Sequence, residues 1–332
     1  MKLEEESKVL VTGGAGFLGS HLAEALLKRR CEVIILDNLS TGFMENISHL
    51  LNYNNKVHFI EGDIRDPEVC LKATKEVDII FHEAAQINPV LAVVNPLYDF
   101  EVNARGTLNL LEAARRNHVQ KFIFASTNVY GDPKYLPIDE NHPMDLLSPY
   151  AASKLSGEAY CMVYNRTYGV ETVRLRYTNL YGPRQRSTKS ESGVVPIFIE
   201  RVIGGKPPVI FGDGEKTRDF VYVSDVANAN ILVAESEHCA GEVFNIGSGK
   251  ETSIKTLAEM VLRIWGNKDL IPIHGPPRKA DFQRCRVDTT KARNLLGFRP
   301  EVQLEEGLKK TIDWAREENE CRVLKNRGTE ET

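Results

Sequence analysis

Tyr150 and Lys154 lie four residues apart in Ser148-Pro149-Tyr150-Ala151-Ala152-Ser153-Lys154, a spacing that puts both on one face of a helix. A phenol titrating near ~10 is a poor base at neutral pH, and a neighbouring ammonium favours its phenolate. Beside a hydride acceptor, such a pair suits oxidation of an alcohol to a ketone. The reacting oxygen then needs a second hydroxyl. Ser126-Thr127-Asn128-Val129-Tyr130-Gly131 offers Ser126, four residues before Tyr130, with Thr127 as the fallback if the register is off by one. A Tyr/Lys face alone is commonplace on helices, so the rest of the chain must supply the acceptor.

The acceptor is implied by Thr12-Gly13-Gly14-Ala15-Gly16-Phe17-Leu18-Gly19, which follows a strand-like run and opens a helix-like one. Glycines let the backbone turn tightly and approach a pyrophosphate, and the following helix offers it free N–H groups. Asp37, eighteen residues after Gly19, stands where a carboxylate accepts the adenosine ribose hydroxyls and repels a 2′-phosphate. Asn38-Leu39-Ser40 brings no arginine, so NAD is expected rather than NADP. Asp63-Ile64 and Ala84-Ala85-Gln86 follow two further strand-like runs. Asp63 is placed to meet the adenine amine, and the small alanines let a cofactor lie close. His82 reads as structural.

The elements that must position these groups alternate. Lys8 to Val11, Glu32 to Leu36, Val57 to Ile60, Val77 to Phe81 and Lys121 to Ala125 are short apolar runs, as in a sheet covered on both faces. Phe17 to Lys28 and Asn95 to Asn117 carry apolar residues at helical spacing. Alternation implies a parallel sheet with right-handed crossovers. Beyond residue 180 the glycine and proline clusters at 182–183, 204–208, 212–214 and 275–277 imply shorter elements and a smaller packed unit. Residues 1–178, also receiving 224–246, read as the sheet domain. Residues 179–320 read as the smaller domain, and 321–332 as a charged, frayed tail.

Composition narrows the function classes. The 42 basic and 46 acidic residues leave a net charge of −4 over 332 residues, giving no global field for nucleic acid. No apolar run approaches the ~20 residues of a membrane span. Six cysteines at 31, 70, 161, 239, 285 and 321 are too scattered for a zinc or disulfide framework, so no metal is expected. An acidic start without an apolar h-region points to a cytoplasmic protein.

Taken together, the glycine loop, Asp37, Asp63-Ile64, His82-x-Ala84-Ala85, Ser126 and Tyr150-x-x-x-Lys154 resemble the extended short-chain dehydrogenase/reductases. Within them the chain is most similar to NAD-dependent nucleotide-sugar epimerases of the UDP-glucose 4-epimerase type. The resemblance continues through residues 174–185, Gly212-Asp213-Gly214 and residues 218–226, to about Gly307. It implies a Rossmann-type doubly wound α/β fold with a smaller mixed α/β substrate-binding domain. It implies NAD held by Gly13, Gly16, Phe17, Leu18, Gly19, Asp37, Asn38, Asp63, Ile64, Ala84, Ala85, Gln86, Asn103, Ser126, Tyr150, Lys154 and Tyr177.

By the same resemblance Tyr150 takes the proton of the sugar 4-hydroxyl, Lys154 lowers its pKa and Ser126 holds the oxygen. A 4-keto sugar then turns about its diphosphate and is reduced on its other face. Ser126, Thr127, Tyr150, Asn179, Val195, Phe211, Arg218, Arg278, Asp281 and Cys285 would contact a UDP-sugar, with Arg218 and Arg278 anchoring the diphosphate. Dehydratases of the family carry Asp and Glu after the hydroxyl, and decarboxylases a Glu, where Thr127 and Asn128 stand. Elimination and decarboxylation are therefore disfavoured.

A small Cys285 implies room for N-acetyl groups, the alternative being a buried thiol without a role. The helices around Asn103–Asn117 and Pro149–Tyr168, with Ala104, Leu108, Leu111, Ala159, Met162 and Val163, imply a homodimer. Still open are a UDP-uronic acid 4-epimerase, another NAD-dependent dehydratase or reductase, and a non-catalytic NAD-binding regulator.

Overall fold

The computed structural model describes residues 3, 7–53, 56–186, 193–267, 269–277 and 282–329, the last nine as backbone. β1 (Lys8–Thr12) runs through the glycine cluster into α1 (Phe17–Lys28), β2 (Glu32–Asp37), α2 (Ser48–Leu51) and β3 (Val57–Glu61). Next come α3 (Pro67–Ala73), β4 (Ile79–His82), α4 (Pro89–Val94), α5 (Pro96–Phe100), a π-helical segment (Glu101–Arg105), α6 (Gly106–Arg116) and β5 (Lys121–Ser126). α7 (Pro149–Tyr168) and β6 (Glu171–Tyr177) continue the alternation. Then follow β7 (Asn179–Tyr181), α8 (Val194–Ile203), β8 (Val209–Phe211), β9 (Thr217–Arg218), β10 (Phe220–Tyr222), α9 (Val223–Glu235) and β11 (Val243–Ile246). β12 (Thr252–Ser253), α10 (Ile254–Trp265), β13 (Ile273–Gly275), α11 (Thr290–Leu296) and α12 (Leu304–Thr329) close the chain.

Seven strands form one sheet in the order β11-β6-β5-β4-β1-β2-β3, every neighbouring pair parallel. Val9, Leu10 and Val11 are all fully buried, because helices cover both faces. One face packs on α1 and α9 and the other on α3, α6 and α7. The strand order reverses between β1 and β4, which opens a crevice at the carboxyl ends of these strands. The remaining strands pair only as two-stranded ribbons, β7 with β10, β9 with β12 and β8 with β13.

Two expectations differ from this picture. The helix expected over Asn95 to Asn117 is interrupted by the π segment, which carries Asn103. Within the segment 321–332 read as a frayed tail, the backbone continues α12 as far as Thr329.

Candidate active site

The glycine loop fits a pyrophosphate for a geometric reason. Gly13 adopts φ +69°, and a Cβ there would stand 2.8 Å from the Ala84 backbone. A Cβ on Gly19 would lie 2.2 Å from the Gly13 carbonyl, so α1 can start hard against the loop only with glycine. The first-turn amides of Phe17, Leu18 and Gly19 precede any acceptor within the helix and face the crevice end of β1. The Asp37 carboxylate is buried and accepts the amides of Ala15 and Leu39 at 2.9 and 2.8 Å, which ties β2 to the loop. Each of its oxygens keeps a second lone pair for a ribose hydroxyl. These features fit a dinucleotide.

Asp63 differs from expectation. Arg65 supplies three donors and Asn38 one at 2.7 Å, so its four acceptor positions are engaged within the protein rather than free for an adenine amine. Arg65, first among the causes, holds this carboxyl down to about 2. Gln86 and Asn103 also turn inward. Asn103 Oδ1 accepts the Gln86 amide at 2.8 Å, and its Nδ2 donates to the Gln86 carbonyl, Asp99 Oδ1 and Ser153 Oγ. Gln86 Nε2 donates to Asp99 at 2.7 Å. Both residues brace α7 from below instead of presenting side chains to a cofactor.

His82 is fully buried, and its burial keeps it neutral. Thr107 Oγ1 donates to the Asn103 carbonyl at 2.6 Å, so it must accept from His82 Nε2 at 2.9 Å. His82 Nδ1 therefore accepts from Thr12 Oγ1 at 2.8 Å. The imidazole is a strut between β1 and the first turn of α6.

α7 carries the reacting groups. Ser148 caps it through the Ala151 amide, Pro149 occupies its first turn and Gly169 ends it at φ +73°. Tyr150, Lys154 and Glu158 succeed one another at four-residue intervals along one face. Burial pushes the Tyr150 phenol up to about 12, and a hydrogen bond from the Thr127 hydroxyl opposes the shift. Lys154 is buried with its ammonium 4.4 Å above the Phe124 ring, and burial brings it down to about 8. Its charge bears on Glu83.

The hydroxyl that hydrogen-bonds Tyr150 is that of Thr127, whereas the Ser126 hydroxyl turns to Glu158. Ser126 is still inside β5, paired with Arg176 of β6, and its Oγ donates to Glu158 Oε1 at 2.5 Å. Arg176 clamps the same carboxylate through Nε and Nη2 at 2.8 and 2.6 Å, with both side chains almost fully buried. Counting back from Tyr130 misses this, because Tyr130 belongs to the buried floor: its hydroxyl donates to Asn245 and accepts from Arg176.

On the substrate side, Arg218 is buried and stacks 3.8 Å above the Phe282 ring. Asp219, also buried, accepts the amides of Ser248, Gly249 and Val287 through its carboxylate and the Asn179 amide through its backbone carbonyl, which fixes the segments around Asn179 and Arg218. Phe211 is exposed at the end of β8. Val195 is not at the surface: α8 turns it into the core, so its side chain cannot line a substrate site. Cys285 has no exposed surface, burial pushes its thiol up to about 12, and Asn128 Nδ2 donates to its sulfur at 3.4 Å. Cys285 therefore stands behind Asn128, not at the front of the crevice. Arg278 and Asp281 lie outside the described residues.

Glu83, Glu158 and Asp219 escaped the sequence reading. Glu158 was reachable, since it lies two four-residue steps after Tyr150 on the same face.

The chain is similar to known proteins over most of its length. A family model described as the NAD dependent epimerase/dehydratase family matches residues 9–247. The UDP-glucose 4-epimerase of Mycolicibacterium smegmatis is 40% identical over 316 residues, covering 94% of this chain and all of the relative. The UDP-glucose 4-epimerase of Thermotoga maritima, solved with UDP-glucose, is 42% identical with a TM-score of 0.88, covering 93% of this chain and 99% of that one. The Thermus thermophilus UDP-glucose 4-epimerase, solved with NAD, is 41% identical with a TM-score of 0.84 and the same coverage.

Proposed function

The chain belongs to the NAD-dependent epimerase/dehydratase family, and on that footing we propose that it is a UDP-hexose 4-epimerase interconverting UDP-glucose and UDP-galactose. The observation that carries the reading is Tyr150 with Thr127 at the exit of β5, where Asn128 follows and no carboxylate stands. As the phenolate, which the Lys154 ammonium and the positive nicotinamide of bound NAD+ would favour, Tyr150 Oη receives the proton of the sugar 4-hydroxyl and later returns it. Thr127 Oγ1 holds the same oxygen and stabilises charge there. Lys154 keeps a buried positive charge one turn below. When bound, NAD accepts a hydride from the sugar and returns it within one turnover. The glycine loop, the first turn of α1 and Asp37 would hold it.

Arg218 is the described residue best suited to anchor the diphosphate while the sugar turns, because a stacked guanidinium is rigid and always charged. Arg278 would join it. Asn179, Phe211 and Asp281 are assigned to the nucleotide, and Cys285, acting through Asn128, to the C2 side, which admits UDP-N-acetylhexosamines.

The reading extends to assembly and location. No helix among the described residues is long and apolar enough to cross a membrane, and the five described cysteines are buried free thiols, consistent with a reducing cytoplasm. α4 and α5 expose Val90, Val93, Val94, Leu97 and Phe100, beside Tyr160 and Val163 of α7. This face, rather than Ala104 and Leu111, which point inward, is assigned to a homodimer.

Incubating the purified protein with UDP-galactose, UDP-N-acetylgalactosamine and UDP-galacturonate without added cofactor tests the function. C4 epimers of the first two support it. Turnover of the uronate alone replaces it with a uronate epimerase, and an accumulating 4-keto product with a dehydratase.

A further inference from the structure

Glu83 takes no part in the steps above, yet it stands at the corner where the reacting ring must lie. It is the first residue after β4, and its backbone abuts Gly13: a Cβ on that glycine would meet the Glu83 carbonyl carbon at 3.1 Å. Its side chain comes between β6 and α7. Tyr177 Oη donates to Glu83 Oε1 at 3.1 Å. Asn230 Nδ2 donates to that hydroxyl at 2.9 Å and also to the Val226 carbonyl, and the Tyr177 proton is shared between Glu83 Oε1 and Asn230 Oδ1 at 3.2 Å. Lys154 is the cation that bears on the carboxyl. Among the described residues no arginine pairs with Glu83 and no backbone amide donates to it, whereas Glu158 two turns along α7 is fully clamped. A carboxyl left with one neutral donor is a poor structural anchor and a strong local source of field.

We propose that Glu83 is a positioning residue that sets the balance between oxidised and reduced nicotinamide, its carboxylate favouring cationic NAD+ over neutral NADH. The inference rests on the NAD assignment and not on the identity of the sugar. An epimerase must return its hydride before the keto sugar escapes. A fixed negative charge beside the ring keeps the reduced state shallow and hastens that return.

The corner also sets a pH dependence. Burial pushes Glu83 up to about 7, opposed first by the Tyr177 hydrogen bond and then by Lys154. Of the other groups there, Tyr150 and Tyr177 are pushed far above neutrality and His82 well below it, so none of them changes charge near pH 7. Asp99 reaches Lys154 from the other side and is buried and bonded to Gln86 and Asn103. The carboxylate is present above about pH 7 and lost below it. Preference for NAD+ therefore rises with pH through this range. Lys154, brought down to about 8 by burial and held up first by Glu83, acts in the same direction, so Glu83→Gln reports the loss of the carboxylate together with its hold on Lys154.

The test measures dissociation constants of NAD+ and NADH on the full-length chain freed of nucleotide. NADH fluorescence and competition report them, at about pH 6 and about pH 8.5. At the higher pH, Glu83→Gln should weaken NAD+ about tenfold and leave NADH within about twofold. At the lower pH the two proteins should converge. Tyr177→Phe, which keeps the charge, should retain the preference. Equal weakening of both nucleotides in Glu83→Gln, or no change in either, overturns the proposal. Binding of neither nucleotide by the wild-type chain overturns the NAD assignment itself.

Discussion

Two glutamates border the same helix in different company. Glu158 receives both arms of Arg176 and the Ser126 hydroxyl, and beyond them lie Tyr130 and Asn245. Glu83, on the crevice side, has the Tyr177 hydroxyl and the electrostatic reach of Lys154. The first network is closed, every partner lying within the protein. The second is left open toward the ligand, and burial leaves its carboxyl poised near neutral pH. Closed polar networks hold elements together. Half-satisfied ones are where a protein keeps chemistry available.

Substitutions on the two sides should therefore fail in different ways. The largest effect is expected for Tyr150→Phe, which leaves the crevice without its proton acceptor. Turnover should fall by roughly a thousandfold or more, with an unchanged melting temperature. Next comes Arg176→Met in the closed network. It strands the Glu158 charge, and denaturant unfolding should show a loss of about 3–5 kcal/mol. An unchanged midpoint would mean that the clamp does not hold β5 and β6 to α7.

The sharpest contrast is between neighbours. Thr127→Val should lower kcat about a hundredfold at nearly constant stability. Ser126→Ala should cost about 1–2 kcal/mol of stability and leave kcat within a few-fold. The reverse pattern would restore Ser126 as the sugar-binding hydroxyl.

Several features were legible because they are local. The glycine loop, Asp37 and the Tyr150–Lys154 spacing depend on a single turn or a single helix, and the apolar runs 8–11 and 32–36 announce strands covered on both faces. Orientation was less legible. Val195, Ala104 and Leu111 turn into the core, where nothing in a helical pattern separates a buried face from a docking face. Asp63, Gln86 and Asn103 look like ligand contacts by position but are engaged by Arg65, Asn38 and Asp99, some of them near neighbours whose side-chain direction the chain order does not show.

By itself the sequence determined a parallel α/β sheet, a dinucleotide loop and a tyrosine–lysine pair, because propensity, periodicity and glycine geometry act over a few residues. Only the tertiary structure decided which hydroxyl meets Tyr150. That choice follows from where β5 stops pairing with β6: the last paired residue, Ser126, points at Glu158, and the first unpaired one, Thr127, meets Tyr150. A one-residue difference in where pairing ends is invisible along the chain, yet it exchanges the surroundings of the two side chains.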